Sequence, residues 1–369
     1  MHSIFSQAES ILSGDITYIN DRLGKQLQKL SGKKLLFTGG GGFLGYMFLH
    51  MLAELGQDNN LEKLEITILE NFSRGKKLWL DKLSNKPNVN LIEHNISKKL
   101  PNDLPEFDYI VHAASIASPH YYRKYPIETI DANVGGLRVL LDYAKDRYFQ
   151  KKSIKGMLFF STSEIYGDPL DSYIPTPETY NGNVSCTGPR ACYDESKRLG
   201  ETLCVNFAQQ YDLPITIARP FNNYGPGLDI NDKRIIPDIA KSILANEDVV
   251  LFSDGLATRT FCYVADAIIG YTKVLLNGRP GEPYNIGTDK PEISMKNLAE
   301  KLVSIGEELF NYNGEIVNLD SSDKNYNIDN PQRRCPDLSK ARNELKYNPS
   351  INLDDGLKKS LIWYKDNFQ

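Results

Sequence analysis

The feature that most constrains the fold is a glycine-rich turn between a short apolar run and a helical stretch. Leu35 to Thr38 form the apolar run, and the glycines Gly39, Gly42 and Gly45 follow with the spacing G-x-x-G-x-x-G. Glycine permits positive φ, lets the backbone approach a pyrophosphate, and lets the next helix lie close to the strand with its free N–H groups toward the anion. The segment therefore predicts a dinucleotide-binding turn.

Further apolar runs of similar length follow, separated by stretches with helical periodicity. Such short, continuous runs are typical of strands buried on both faces, and helices between them make the strands parallel. The sequence therefore predicts an α/β fold with a doubly wound parallel Rossmann sheet. The runs are Ile66–Leu69, Tyr109–Val111, Met157–Phe160 and Ile215–Ala218.

The pattern changes twice along the chain and predicts three parts. Residues 1–32 carry apolar side chains, the first at Ile4, at spacings of three and four with a break at residues 13–15, which predicts an extension of two short amphipathic helices. Residues 33–220 form the predicted dinucleotide-binding domain. Glycines and prolines then separate shorter elements, so residues 221–369 are expected to form a mainly substrate-binding lobe that partly returns to the sheet.

Composition argues against several classes of protein. The chain has 43 Lys and Arg against 47 Asp and Glu and no long basic run, so we expect no nucleic-acid or membrane-surface partner. Its five cysteines include no C-x-x-C pair and its histidines no H-E-x-x-H pair, so no metal site is predicted. With no bilayer-length apolar stretch or signal peptide, we expect a cytoplasmic small-molecule enzyme.

Glu70 ends the second predicted strand, where a carboxylate can accept hydrogen bonds from the ribose hydroxyls of the cofactor's adenosine. This favours NAD over NADP, although Arg74 is close enough in sequence to blur the choice. The predicted cofactor-binding residues are Gly39, Gly42, Phe43, Leu44, Gly45, Glu70, Asn71, Tyr193 and Lys197.

Two Tyr-x-x-x-Lys matches occur, and their positions decide between them. Tyr148 and Lys152 lie in the basic tail of a helix and are expected to be solvated. Tyr193 follows the polar exit of the fourth predicted strand, and Lys197 lies one turn later on the same helix face. We expect Lys197 and a cationic nicotinamide to lower the pKa of the Tyr193 phenol from about 10 to about 7, which takes roughly 4 kcal/mol. The phenolate would then remove a proton from a substrate hydroxyl.

These motifs resemble the extended short-chain dehydrogenase/reductase family, and within it the UDP-glucuronate decarboxylases. The resemblance runs from about Lys33 to about Tyr364 and implies an NAD-dependent enzyme acting on a nucleotide sugar. The segments that carry it are Gly39–Gly45, His112–Pro119, Ser161–Gly167, Gly188–Arg198, Arg219–Pro226, Arg259–Asp266 and Asp329–Asp337.

The resemblance also implies a reaction that begins with oxidation of the sugar C4 hydroxyl, to which Thr162 donates or accepts a hydrogen bond. Ser163 stands where 4,6-dehydratases carry an acid, beside Glu164. Serine cannot replace a carboxylic acid in expelling hydroxide, but it can hydrogen-bond a substrate carboxylate. Loss of CO₂ needs only the C4 ketone as an electron sink, so the pattern favours decarboxylation.

Further residues match family positions around the substrate. Arg334 matches an arginine that assists protonation of C5 or guides water to it, and Tyr122 matches a tyrosine near the substrate carboxylate. Glu164 could act in catalysis by positioning water or by holding the sugar ring. The predicted substrate-binding residues are Tyr122, Arg190, Asn222, Arg234 and Arg259, of which Asn222, Arg234 and Arg259 match diphosphate contacts.

Three features of the match keep alternatives open. Gly227 stands where many decarboxylases carry arginine, and Asn95 stands where an aspartate near the adenine is usual. The pair Asn223-Tyr224 is as common in dehydratases as in decarboxylases. A sugar-nucleotide epimerase or 4,6-dehydratase therefore remains an alternative, as does an NAD-binding scaffold without turnover. The helices around residues 137–144 and 197–207 resemble the pair through which the family forms a two-fold dimer, so a homodimer is expected.

Overall fold

The computed structural model describes residues 6–55, 61–319 and 331–368. Asp329 and Asn330 of the last family segment, and Ile4 of the N-terminal pattern, lie outside the described residues. The strands are β1 Lys34–Thr38, β2 Glu65–Glu70, β3 Val89–Glu93, β4 Tyr109–His112, β5 Gly156–Phe160, β6 Ile215–Pro220, β7 Asn223–Tyr224, β8 Val249–Leu251, β9 Thr258–Thr260, β10 Cys262–Tyr263, β11 Pro283–Ile286, β12 Glu292–Ser294, β13 Ile316–Asn318 and β14 Arg333–Arg334.

The helices flank these strands in chain order. Short 3-10 helices cover Gly24–Leu30, Ser163–Tyr166 and Asp171–Tyr173, and a π-helical stretch covers Asp131–Gly136. The α-helices are α1 Gln7–Leu23, α2 Phe43–Glu54, α3 Leu78–Ser84, α4 Pro119–Lys124, α5 Pro126–Ile130, α6 Leu137–Phe149, α7 Ala191–Tyr211, α8 Ile235–Ala245, α9 Val264–Asn277, α10 Met295–Phe310, α11 Ser339–Leu345 and α12 Leu353–Asn367.

Seven strands form a parallel sheet in the order β11-β6-β5-β4-β1-β2-β3. The predicted doubly wound sheet is confirmed, and each of the five apolar runs forms one of its strands. Strand order reverses between β1 and β4, and ligands of such sheets bind beyond the carboxyl ends of the strands at this point. The sheet therefore places its binding crevice where Gly39 and Thr162 leave β1 and β5.

Two strands of the sheet were not predicted, and both lie at its edges. In β3 apolar residues mix with Asn90 and Glu93 because this edge strand is only partly buried. At the other edge β11 has four residues and begins with Pro283, which has no N–H to donate. Edge strands need less apolar sequence than central ones, so they give a weaker signal.

Helices cover both faces of the sheet, and β1 has side chains in both layers. Leu35 and Phe37 pack with α2 and α9, whereas Leu36 packs with α6 and α7. In α6 the residues Leu137, Leu140, Leu141 and Ala144 are fully buried in this second layer. These four side chains therefore pack inside the protomer, and the homodimer expected through the helices around residues 137–144 and 197–207 stays a prediction.

The N-terminal extension is one helix followed by a 3-10 turn, so the predicted break at residues 13–15 is wrong. Ser6 and Glu9 form a capping box, and α1 then runs through Gly14 to Leu23. At the predicted break Asp15 is fully buried and accepts hydrogen bonds from Tyr263 Oη at 2.5 Å and Lys359 Nζ at 2.6 Å. These bonds to β10 and α12 offset the cost of burying the carboxylate.

Small sheets bring distant residues of the C-terminal half to the crevice. Strand β9 pairs with β12 and with β14, and the parallel β9–β14 register sets Arg259 opposite Arg334. In the described part of the chain, no helix is long and apolar enough to cross a membrane. Nor do the described residues contain a group of three or more His, Cys, Asp or Glu suited to hold a metal ion.

Candidate active site

The glycine-rich turn has the shape that a dinucleotide pyrophosphate requires. Gly39 has φ +74°, and a Cβ there would lie 2.4 Å from the backbone of Ala114. A Cβ on Gly45 would lie 2.1 Å from the carbonyl oxygen of Gly40, whereas one on Gly42 would meet only the Gly39 oxygen, at 3.4 Å. The first and third glycines thus allow close packing, and Gly42 leaves an open surface at the N-terminus of α2.

Glu70 lies beside this turn at the end of β2. Its Oε2 accepts a hydrogen bond from Gly41 N at 2.8 Å, and its Oε1 accepts from Asn71 N at 3.0 Å. Arg74 turns away from Glu70, because its guanidinium donates to Asp232 Oδ2 at 3.1 Å and lies over the Tyr121 ring. A carboxylate in this place fits the ribose hydroxyls of NAD and repels the 2′-phosphate of NADP.

The second Tyr-x-x-x-Lys pair lies in the crevice, and the first does not. Tyr193 is buried near the start of α7, where it hydrogen-bonds the Thr162 side chain. Lys197 Nζ lies 5.8 Å from the Tyr193 ring centroid and donates to the carbonyl of Phe160 at 2.7 Å. At the other match Tyr148 is 39% exposed, and Lys152 pairs with Glu106.

Burial governs the protonation states of the pair. It raises the pKa of Tyr193 to about 12, although Thr162 and the charge of Arg234 act in the opposite direction. Burial also lowers the pKa of Lys197 to about 7. Moving the phenol pKa from about 12 to about 7 takes roughly 7 kcal/mol, more than the expected 4. The lowering of this pKa by Lys197 and a cationic nicotinamide together stays a prediction.

Glu164 is the centre of a buried charge cluster. Arg334 donates two hydrogen bonds to its carboxylate, Nη1 to Oε1 and Nη2 to Oε2, each at 2.6 Å, and Arg190 also donates to Oε2. Burial by itself would raise the pKa of Glu164, but the charges of Arg190 and Arg334 outweigh it and lower the pKa to about 2. Glu164 is therefore a fixed carboxylate at neutral pH.

A third guanidinium lies in the same cluster. Arg259, opposite Arg334 across β9 and β14, donates to the carbonyls of Thr258 and Gln332. Burial and the neighbouring charge of Arg334 lower the pKa of Arg259 to about 9. The cluster also holds the buried Asp194, 3.6 Å from Arg190 Nε. Three arginines against two carboxylates still leave an excess of positive charge, which suits an anionic substrate.

Tyr122 lies between this cluster and Tyr193. Its ring is stacked on that of Tyr193, with the centroids 5.0 Å apart and the planes 8° from parallel. The Tyr122 hydroxyl is buried without a hydrogen-bond partner among the described residues. Ser163, which precedes Glu164, is also buried and lines the same cavity. Both hydroxyls can therefore serve a ligand.

The predicted diphosphate contacts lie on the substrate side of the crevice. Asn222 has φ +37° and donates from Nδ2 to the carbonyl of Thr260 at 3.0 Å. Arg234 Nε lies 2.9 Å from Asp232 Oδ1. All the predicted catalytic, cofactor and substrate residues line one cavity of about 1980 Å³.

Two residues of this cavity have roles that the sequence did not indicate. Asp232 pairs with Arg74 and Arg234, but it stands in no motif. Gly227 has φ +94°, and a Cβ there would lie 2.4 Å from the Cβ of Tyr46. The departure from arginine at this position thus has a steric reason, because Tyr46 fills the adjoining space.

The parallel sheet, the glycine-rich turn and the buried Tyr-x-x-x-Lys pair define an enzyme of the extended short-chain dehydrogenase/reductase class. The model of the NAD dependent epimerase/dehydratase family matches residues 35–287, and the chain belongs to this family. It is 37% identical over 324 residues to UDP-glucuronic acid decarboxylase 3 of Arabidopsis thaliana, covering 88% of this chain and 86% of that one. It is 34% identical over 347 residues to UDP-glucuronic acid decarboxylase 1 of Xenopus tropicalis, covering 94% and 75%.

Solved structures of related enzymes share the fold. The UDP-glucose 4-epimerase of Thermotoga maritima with UDP-glucose has a TM-score of 0.75 at 25% identity and covers 91% of this chain and 100% of its own. The dTDP-glucose 4,6-dehydratase DesIV of Streptomyces venezuelae, with NAD and TYD bound, has a TM-score of 0.76 at 25% identity and covers 90% and 97%.

Proposed function

We propose that this chain is an NAD-dependent UDP-glucuronate decarboxylase, a lyase that oxidises the sugar at C4, releases CO₂ from C5 and reduces the C4 ketone again. The observation that carries the proposal is the pairing of Glu164 with Arg334 and Arg190 beside Ser163, in the same cavity as Tyr193. The names of the Arabidopsis and Xenopus relatives support the same reaction.

The predicted cofactor residues divide between the pyrophosphate and the adenosine ribose of NAD. Gly39, Gly42, Phe43, Leu44 and Gly45 would hold the pyrophosphate at the N-terminus of α2. At the far end Glu70 and Asn71 would hold the adenosine ribose. NAD, when bound, supplies the oxidation at C4 and its later reversal, so it is not consumed. We therefore expect the purified protein to contain NAD and to turn over without added nicotinamide; a requirement for stoichiometric NAD would contradict this cycle.

The first chemical step needs a base at the C4 hydroxyl. Tyr193 would remove that proton, and Thr162 would hold the hydroxyl oxygen in place. Lys197, fixed by its hydrogen bond to the Phe160 carbonyl, would bind the ribose of the nicotinamide. Because its pKa is near 7, the lysine can gain or lose a proton at neutral pH.

The second step needs the substrate carboxylate to be held and then lost. Ser163 and Tyr122 would hydrogen-bond it, and the charge excess of Arg190, Arg259 and Arg334 favours its binding as an anion. The C5–CO₂ bond then breaks, and its electron pair passes to the C4 oxygen as an enolate. Protonation of C5 restores the ketone, and Arg334 would direct water to that carbon.

The same residues weigh against elimination of water. A 4,6-dehydratase needs an acid at C6 and a base at C5, but Ser163 cannot protonate hydroxide. Glu164 is a weak base because Arg190 and Arg334 lower its pKa to about 2. An epimerase, which would use the same Tyr193 oxidation, is the alternative that the experiment below excludes or supports.

Variants at the two steps should give different signals with UDP-glucuronate. Tyr193→Phe should form neither reduced nicotinamide nor CO₂. Arg334→Ala should form reduced nicotinamide, seen by its absorbance, with release of CO₂ delayed. If Arg334→Ala releases CO₂ as fast as the parent, Arg334 is structural and the decarboxylase proposal loses its main support.

We also propose that the chain forms a homodimer through a surface on α5 and α7. Ile127 and Ile130 are exposed at 65% and 38%, and Leu199 on α7 at 47%. Exposed apolar residues on neighbouring helices favour a self-complementary contact. Light scattering should give a dimer for the parent and a monomer for Leu199→Glu; a monomeric parent would overturn this proposal.

We place the enzyme in the cytoplasm. The support is that all five cysteines are free thiols, two of them, Cys186 and Cys192, at least partly accessible. Free accessible thiols are typical of a reducing compartment. Microscopy of a tagged full-length chain tests this, and a signal confined to the secretory pathway would contradict it.

A further inference from the structure

Asp232 is a buried carboxylate between two arginines from different parts of the cavity. Its side chain is 4% exposed, and one oxygen accepts a hydrogen bond from Arg74 at 3.1 Å. The other oxygen lies 2.9 Å from Nε of Arg234. Arg74 follows Glu70 in the loop at the ribose end of the cofactor site, whereas Arg234 belongs to the proposed diphosphate set.

The segment around Asp232, residues 229–234, bridges the crevice at further points. The Asp232 carbonyl accepts a hydrogen bond from Ser118 Oγ at 2.8 Å. Lys77 pairs with Asp229 at 2.9 Å. The bridge therefore joins the loops that follow β2 and β4 to the element that carries Arg234.

We propose that Asp232 is a positioning residue that orients Arg234 toward the diphosphate of the nucleotide sugar and, through Arg74, couples binding of that nucleotide to retention of the cofactor. The proposal rests on the proposed function, because it takes a nucleotide diphosphate as the ligand of Arg234. Neither the family match nor the relatives assign a role to Asp232.

The sign of the effect distinguishes positioning from simple attraction. Asp232 is negative, so by Coulomb's law alone its removal should strengthen binding of a diphosphate. Its Oδ1, however, lies 2.9 Å from Nε of Arg234 in an ion pair and accepts no hydrogen bond from the described residues. This ion pair draws the Nε side of the guanidinium toward Asp232 and leaves the two terminal nitrogens to donate to phosphate oxygens. Without Asp232, Arg74 and Arg234 lose their shared counter-ion, repel one another and no longer hold this geometry. Positioning therefore predicts weaker binding, the opposite of the Coulomb result.

Calorimetry with UDP and uridine on the NAD-containing protein tests whether Asp232 orients Arg234 toward the diphosphate. Asp232→Asn, which keeps the shape, should weaken UDP binding by about 10-fold or more, the loss typical of one charge-assisted hydrogen bond, and uridine binding by less than about threefold. Asp232→Glu should restore part of the loss. Lys77→Met is the matched control, since it breaks the neighbouring pair across the same gap and should leave UDP affinity unchanged.

The rate of NAD release, measured with and without UDP, tests the coupling. UDP should slow the release of NAD from the parent and from Lys77→Met, but not from Asp232→Asn or Arg74→Met. The Arg74→Met variant should still bind UDP within about threefold of the parent. Tighter UDP binding by Asp232→Asn, or equal loss of UDP and uridine, would overturn the positioning role. An unchanged effect of UDP on NAD release in both variants would overturn the coupling. A parent that binds neither probe would instead overturn the nucleotide-sugar assignment, and this inference with it.

Discussion

Replacing Glu164 by glutamine should destabilise the fold at neutral pH, and the size of the loss follows from the carboxylate's surroundings. Arg190 and Arg334 hold the pKa of Glu164 at about 2, against a usual value of 4.5. A difference of this size corresponds to roughly 3 kcal/mol at about 1.36 kcal/mol per pKa unit. The neutral amide of Glu164→Gln would remove the carboxylate that Arg334 and Arg190 share, and Arg190 would keep only its longer contact with Asp194, at 3.6 Å. We therefore expect a comparable loss in the free energy of unfolding.

The pH dependence has a definite sign. Because the folded pKa is below the unfolded value, the contribution of Glu164 is complete above pH 4.5 and is lost as the pH falls from 4.5 through 2. The stability difference between parent and Glu164→Gln should therefore be constant between about pH 6 and 7 and should shrink by about 1 kcal/mol near pH 4.

Urea unfolding at several pH values measures this difference. Glu344→Gln is the matched control, because Glu344 also pairs with an arginine, Arg279, but at the surface. This control should change stability much less than Glu164→Gln. A Glu164→Gln variant as stable as the parent at pH 7, or a difference that does not shrink toward pH 4, would refute the charge cluster as described.

Three further predictions concern the cavity. Tyr193→Phe should lower turnover by about 10²- to 10⁴-fold while Tyr148→Phe leaves it unchanged, and equal rates for both variants would mean that the catalytic helix is misassigned. Tyr122→Leu should slow formation of reduced nicotinamide by about 2- to 10-fold relative to Tyr122→Phe, which keeps the ring stack on Tyr193; equal rates would exclude a role for the stack. Gly227→Ala should lower the free energy of unfolding by about 1–3 kcal/mol, since its Cβ would collide with Tyr46; unchanged urea unfolding would contradict this packing.

The parts that the sequence predicts correctly are those set by local chemistry. The strand, glycine turn and helix at residues 34–54 depend on φ and on close packing within a short segment. The central strands are recognisable because burial on both faces requires continuous apolar residues. Tyr193 lies in the crevice and Tyr148 does not, because the order of elements decides which helix faces the crevice.

The parts that it misses depend on contacts between distant residues. Asp15 interrupts an apolar pattern, so the sequence predicts a helix break there. In the fold its carboxylate accepts hydrogen bonds from Tyr263 and Lys359, and the helix continues. The buried face of α6 packs in the core, which the sequence of that helix alone does not reveal. Burial raises the pKa of Tyr193, and the spacing of four residues between Tyr193 and Lys197 does not predict how deeply the tyrosine is buried.

The most direct test of the central claim is the fate of the substrate carboxyl group. Purified protein without added nicotinamide should be incubated with carboxyl-labelled UDP-glucuronate, and both the released gas and the nucleotide sugar should be counted. We predict that the label leaves as CO₂ in proportion to a UDP-pentose product, and that Tyr193→Phe releases none. Label retained in an epimerised UDP-hexuronate would contradict the decarboxylase proposal and establish the epimerase alternative.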